Sequence, residues 1–169
     1  MAVQVPDTRS DGQHVLIVWH SRTGAAEAMA RAACEGAETA RLLAATEAGT
    51  DDLAAAAALL FVAPENLGTL SGEMKALFDR CYYPLLGRIE GRAYATAIAA
   101  GTAGQGAEAQ IDRIATGWRL RRVAPSLIVR SGAQTAEAIA APKLVAAPDL
   151  QSCRELGQVL AAGLQLGLF

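Results

Sequence analysis

The chain has 169 residues, enough for one domain with a full core, and a formal net charge of −2 that gives no electrostatic reason to expect nucleic acid or an anionic membrane as partner. Its residues are 52% hydrophobic but only 5% aromatic, so the apolar mass is Ala, Leu, Val and Ile, the mix of a close-packed α/β domain. Cys34, Cys81 and Cys153 stand far apart, with no Cys-x-x-Cys pair and no Cys/His cluster, which supports neither a disulfide framework nor a metal site and fits a reducing compartment.

Residues 1–12 carry Pro6, Asp7, Asp11 and Gly12 without periodicity and are expected to form a disordered tail, leaving 13–169 as the domain. The polar start has no apolar segment of the secretory kind, and no apolar run approaches the roughly 18–20 residues of a membrane span. A cytoplasmic protein is therefore expected. Five short apolar runs follow: "HVLIVW" (14–19), "ARLLAA" (40–45), "ALLFVA" (58–63), "YATAIAA" (94–100) and "SLIVR" (126–130). Several are continuous rather than alternating, as in parallel strands covered on both faces.

Helical spacing fills the gaps. Glu27, Arg31 and Glu35 recur every four residues within 24–37. Ser71 is placed to cap a helix with Met74, Leu77, Phe78 and Cys81 on its apolar side and a Lys75–Asp79 pair outside. Ile111, Ile114, Ala115 and Trp118 mark another helix. Asp149 is placed to cap the last, with Leu150, Cys153, Leu156, Leu160 and Leu164 on one stripe. Only the Pro/Ala-rich stretch near 141–149 reads as a linker. Strands alternating with helices predict a doubly wound, five-stranded parallel sheet of order 2-1-3-4-5.

In such a sheet ligands bind beyond the carboxyl ends of the strands, where strand order reverses. The loops there read "HSRTGAA" (20–26), "PENLGTLSGEM" (64–74) and "GTAGQG" (101–106), all rich in Gly, Ser, Thr or Asn. The first opens a helix, so free backbone N–H groups face it; Ser21 and Thr23 add hydroxyls, Arg22 a cation, and Gly24 a close approach. It is neither a P-loop nor a GxGxxG fingerprint, and taken by itself it reads first as a capped helix start.

Taken together, "LIVWHSRTG", "FVAPENLGTLSGEMKALFDR" and "AAGTAGQG" resemble the flavodoxin-like family, in particular the FMN-dependent NAD(P)H reductases and quinone reductases, over about residues 14–130. The resemblance implies a cytoplasmic FMN-binding oxidoreductase that passes hydride from NAD(P)H through the flavin to a quinone or similar small acceptor. It implies that Ser21, Arg22, Thr23, Gly24, Ala25 and Ala26 hold the FMN phosphate. Pro64, Glu65, Asn66, Leu67 and Gly68 would lie along the ring, with Gly101, Thr102, Ala103 and Gly104 on its other side. No protein acid or base is needed, since the flavin carries the chemistry, and none stands out.

The sequence departs from that pattern at Ala25 and Ala26, where the family commonly has Asn, Thr or Ser. The rival readings are a flavin-free binding or scaffold protein of the same fold and an electron-transfer flavodoxin; the missing acidity and ring-stacking aromatics speak against the second. His20, at the site mouth, reads as a phosphate or substrate contact or as a strand-end residue bonded to backbone. Trp19 and Cys81 read as core. Tyr82 and Tyr83 read as a substrate mouth or a helix end, and "RLRR" (119–122) as a solvated edge or a site for the 2′-phosphate of NADPH. Sites of this fold are often built at a homodimer interface, to which "LAAGLQLGLF" could contribute, although packing as the last helix is the preferred reading.

Overall fold

A computed structural model describes residues 14–169; the expected tail at 1–12 lies outside the described residues. Each apolar run becomes a strand: β1 (Val15–Trp19), β2 (Arg41–Ala44), β3 (Ala58–Asn66) and β5 (Ala93–Ala100) are parallel in the order β2-β1-β3-β5. The fifth position is filled by two short pieces, β6 (Arg121–Arg122) and β7 (Leu127–Arg130), which pair with the start and the end of β5. The expected order 2-1-3-4-5 is therefore present, with its last strand broken in two. Two short strands were not expected: β6, in the "RLRR" segment, and β4 (Thr69–Leu70), which returns antiparallel against the end of β3.

Among the described residues there are six helices, α1 (Ala25–Gly36), α2 (Thr50–Ala55), α3 (Gly72–Leu85), α4 (Gln105–Gly117), α5 (Ala136–Ala140) and α6 (Ala147–Gln165), and all but the exposed α5 cover the two faces. Strand side chains alternate between them. Leu16, Val18, Leu59, Phe61, Tyr94 and Ile98 point into the core beneath α2, α3 and α4, where Phe61, Phe78 and Trp118 form an aromatic chain with ring centroids 4.9 and 5.6 Å apart. Val15, Ile17, Leu60, Val62 and the alanines of β5 at 93, 95, 97 and 99 face α1 and α6. Small residues on that face leave room for helices to lie close. A Cβ on Gly157 would stand 2.0 Å from Ala33 O, and one on Gly36 would stand 2.0 Å from Arg154 O, so α1 and α6 touch backbone to backbone. The first part of the C-terminal run packs as the last helix, with Leu160, Ala161 and Gly163 buried, whereas its end is exposed at Leu166 and Leu168.

The helix expectations needed three adjustments. The last helix starts before Asp149, at Ala147 with Pro148 in its first turn, because proline lacks the N–H that a first turn leaves unbonded anyway. Ser71 sits at the N-cap of α3, but its hydroxyl bonds the His20 ring instead of a helix N–H. Lys75 and Asp79 pair as expected at 2.5 Å, and Arg31 pairs with Glu27 at 2.7 Å, while Glu35 is taken by Arg154 of α6 at 2.9 Å.

Candidate functional site

The carboxyl ends of β1, β3, β5 and β7 converge on a cavity of about 550 Å³, within the size range of small-ligand sites. Its floor and rim come from three loops. After β1, Ser21 Oγ accepts the Gly24 N–H at 3.0 Å, and Gly24 turns the chain at φ +95° into α1. The first intrahelical bond runs from Ala28 N–H to Gly24 O, so the N–H groups of Ala25, Ala26 and Glu27 lie at the uncapped helix end. No side chain caps α1.

The second loop is a hairpin. β3 continues through Pro64 and Glu65 to Asn66, turns at Leu67 and Gly68, both at positive φ (+53° and +73°), and comes back as β4. A two-residue turn with positive φ at both positions matches the right-handed twist of the strands it joins. The third loop, residues 101–104, enters α4 at Gly104 with φ +105°. Glu65 ties the second loop to the third. Its Oε1 accepts the Gly104 N–H at 2.9 Å, and its Oε2 accepts those of Gly106 and Ala107 at 2.9 and 3.1 Å. The Gln110 side-chain oxygen accepts the Leu70 N–H at 2.8 Å, and Gly106 lies so close to Gly68 that a Cβ would stand 1.9 Å from its oxygen.

The fourth wall was not foreseen. Residues 131–146, the end of which read as a linker, arch from the third loop back to the first. One foot is held by Ser131 N–H to Ala100 O at 2.9 Å and Gly132 N–H to Gly101 O at 2.8 Å. At the other, the Lys143 N–H donates to Thr23 O at 2.7 Å. The arch is locally self-capped: Thr135 Oγ1 accepts the Ala138 N–H, and Lys143 Nζ donates to the carbonyls of Ala138, Ile139 and Ala141 at the end of α5. It turns Ile139, Ala140, Pro142, Leu144 and Val145 toward the cavity. Its sequence signal was Pro142 followed by Lys143 just after a Thr-capped turn, which marks a helix stop.

Of the residues singled out from sequence, the structure brings Ser21, Arg22, Thr23, Ala25, Ala26, Pro64, Glu65, Asn66 and Gly101 to this one cavity. Gly24 shapes its rim without lining it. Leu67 and Gly68 project outward at the hairpin tip, Thr102 and Ala103 are exposed, and Gly104 is buried behind the third loop. The lining also includes Arg130 and Asp149, which sequence reasoning missed. The cavity thus carries three cations, Arg22, Arg130 and Lys143, and two carboxylates, of which Glu65 is spent on α4.

Other candidates lie elsewhere. The His20 ring bonds Ser71 Oγ at 2.9 Å and faces Glu73 at 3.4 Å, which fastens the end of β1 to the start of α3 and keeps it out of the cavity lining. Trp19 is half-buried against the core. Tyr82 stacks on Trp118 with centroids 5.6 Å apart near the far end of α3, and Tyr83 is exposed; neither lines the cavity, so the substrate-mouth reading is set aside. The "RLRR" segment is also internal in its use. Arg122 pairs with Asp112, donates to Thr96 Oγ1 and lies 5.0 Å over the Tyr94 ring, while Arg119 pairs with Glu90. Cys81 is fully buried, and burial pushes the Cys153 thiol up to about 11. Among the described residues there is no group of three or more His, Cys, Asp and Glu placed to hold a metal, and no helix long and apolar enough to cross a membrane.

Comparison with known proteins places this geometry. A family model described as NADPH-dependent FMN reductase matches residues 22–133, which take in the first loop from Arg22 on and the whole of the second and third, and stop where the arch begins to rise. No curated protein sequence matches the chain. Among solved structures, a WrbA-like flavodoxin protein from Agrobacterium tumefaciens is similar with a TM-score of 0.75 at 20% identity, over 92% of this chain and 99% of that one. A flavodoxin from the domain Archaea aligns with a TM-score of 0.72 at 18% identity, over 90% and 99% of the two chains. Rubredoxin oxygen:oxidoreductase from Desulfovibrio gigas aligns over 94% of this chain and 37% of its own, with a TM-score of 0.75 and 15% identity. At these identities the likeness is one of fold.

Proposed function

The chain belongs to the NADPH-dependent FMN reductase family, whose members are flavin-associated oxidoreductases, and from that premise we propose that it holds FMN in the cavity and passes hydride from NAD(P)H to a small acceptor of the quinone type. The observation that carries this reading is that one cavity is walled at once by the loops after β1, β3 and β5, with the open end of α1 in its rim. The phosphate lies at Ser21–Ala26, held by the N–H groups of Ala25 and Ala26, the hydroxyls of Ser21 and Thr23, and the Arg22 guanidinium. Pro64, Glu65 and Asn66 form one side of the ring site and Gly101 the other, while Leu67, Gly68, Thr102, Ala103 and Gly104 shape the turns behind them.

The bare side chains of Ala25 and Ala26 are compatible with this assignment, and the molecule itself shows why. α1 and α4 start from almost identical glycines, with φ/ψ of 95°/−16° and 105°/−23°, and neither has a side-chain cap of its own. At α4 the Glu65 carboxylate is held entirely by backbone N–H groups, three of them at 2.9–3.1 Å. An anion therefore needs no side-chain donor in a turn of this shape.

FMN, when bound, supplies the hydride-accepting and hydride-donating centre. The chain binds and orients it, while the arch forms the wall on the side of β7 with Ile139, Pro142 and Leu144 among its apolar residues. The apolar arch opposite polar loops suits a flat, uncharged acceptor. Titrating FMN into flavin-free protein tests the binding step by quenching of flavin fluorescence and a rise in melting temperature. Oxidation of NADPH and of NADH, each with a quinone present, tests the reaction. Saturable binding with quinone-dependent NAD(P)H oxidation supports the proposal. A protein that neither binds FMN nor is stabilised by it is a flavin-free binding module of this fold, the reading that Ala25 and Ala26 would then favour.

A further inference from the structure

The cavity is lined by three cations, Arg22, Arg130 and Lys143, and two of them are accounted for. Lys143 Nζ is taken up by the carbonyls of Ala138, Ile139 and Ala141 at the end of α5. Arg22 stands in the first loop, beside the open start of α1. Arg130 remains. It ends β7 and is exposed while lining the cavity, so it stands where the cavity meets solvent.

The Arg130 guanidinium is fixed on the third loop. Its Nε donates to Ala103 O at 2.9 Å. The Gln105 amide, turned so that both its ends are satisfied, donates to the same oxygen at 3.2 Å and accepts from Arg130 Nη2 at 3.0 Å. These partners are neutral, so they hold the group in place and leave its charge uncompensated. Neither carboxylate of the cavity compensates it. Glu65 spends both oxygens on the N–H groups of Gly104, Gly106 and Ala107, where the positive end of α4 offsets its charge. Asp149 belongs to the first turn of α6. Among the described residues Arg130 forms no ion pair with a carboxylate.

Resting on the FMN reading above, we propose that Arg130 sets the reduction potential of the bound flavin, by holding a positive charge against the side of the ring site built on the third loop. Reduction adds two electrons and one proton to the ring and leaves it one unit more negative. A fixed cation at the ring site attracts the negative form and is indifferent to the neutral one. Arg130 therefore favours the reduced flavin and eases hydride uptake from the nucleotide. A guanidinium keeps its proton at any working pH, so the bias is permanent.

The test is a pair of calorimetric titrations of the flavin-free full-length protein, one with oxidised FMN and one, without oxygen, with FMN reduced by dithionite. The quantity read is the ratio of the two dissociation constants, because it moves with the potential and ignores whatever weakens both forms alike. In Arg130→Gln the preference for reduced FMN should fall about fivefold, the scale of a unit-charge attraction near contact distance in a water-exposed site. Arg130→Lys loses the Nε bond to Ala103 but keeps the charge, so it should retain most of the ratio. Arg22→Gln, in the first loop, should weaken both forms and leave the ratio unchanged. Raising the salt from about 0.05 M to about 0.5 M should narrow the gap between the unmodified protein and Arg130→Gln.

An unchanged ratio in Arg130→Gln, or a ratio lost to the same extent in Arg130→Lys, overturns the proposal and leaves the FMN reading standing. Binding of neither form overturns the FMN reading and the role of Arg130 with it.

Discussion

At the scale of single residues, the site turns on backbone donors where side chains are missing. Ala25 contributes an N–H and nothing more, so Ala25→Ser adds a hydroxyl at the helix end. A hydrogen bond to a charged group is worth about 1.5–3 kcal/mol, so the variant should bind FMN about tenfold more tightly, as measured by fluorescence titration. Gly106→Ala should do the reverse. Its Cβ would meet the Gly68 oxygen at 1.9 Å, backbone against backbone, so the hairpin must lift from α4 and the melting temperature should fall by several degrees. His14 sets a pH limit of a different kind. It is 7% exposed, and burial, reinforced by Arg41, holds its pKa below the usual 6.5. The folded protein thus favours the neutral ring, and its contribution is complete above about pH 6.5. Stability should decline as the pH falls from there toward the folded-state value, an effect that chemical denaturation across pH 5–7.5 would detect and that His14→Gln should flatten.

At the scale of elements, what was legible in the sequence was what periodicity encodes. Runs such as "ALLFVA" and "YATAIAA" are buried on both faces and lie where their apolarity puts them. The pieces missed are those whose stability comes from partners far along the chain. β4 has two residues and exists because Leu67 and Gly68 adopt positive φ and Gln110 holds Leu70. α2 is six residues long, and its carboxyl end is held by Arg92, which donates to the carbonyls of Leu53, Ala54 and Ala56. The arch has no periodic stripe at all, since most of it is exposed, and its contacts with Ala100, Gly101 and Thr23 make it part of the site. Glu65 was legible as a site residue, but its role was not, because nothing local announces that a carboxylate will reach α4 some forty residues on. The α1–α6 contact offers an element-scale test. Gly157→Ala places a Cβ 2.0 Å from Ala33 O, so the two helices must separate, at a cost of about 1–3 kcal/mol and several degrees of melting temperature. Ala33 lies about two turns along α1 from Ala26, so FMN affinity at a temperature where the variant is folded should change less than stability does.

At the scale of the whole molecule, a doubly wound sheet brings four strand ends to one edge, and a chain with few aromatics encloses a cavity there with glycine turns and an apolar arch. The fold leaves the start of α1 open at the cavity rim and ties the start of α4 to the Glu65 carboxylate. The family match covers most of the three loops and not most of the arch, so the arch is where this chain is expected to set its own choice of acceptor. The most direct measurement of the central claim is an FMN titration of the flavin-free protein, followed in parallel by flavin fluorescence and melting temperature and repeated with riboflavin, which lacks the phosphate. The account predicts saturable FMN binding that stabilises the fold, with riboflavin bound at least about tenfold more weakly because it forgoes the α1 end. Equal affinity for the two flavins, or no binding of either, would contradict it.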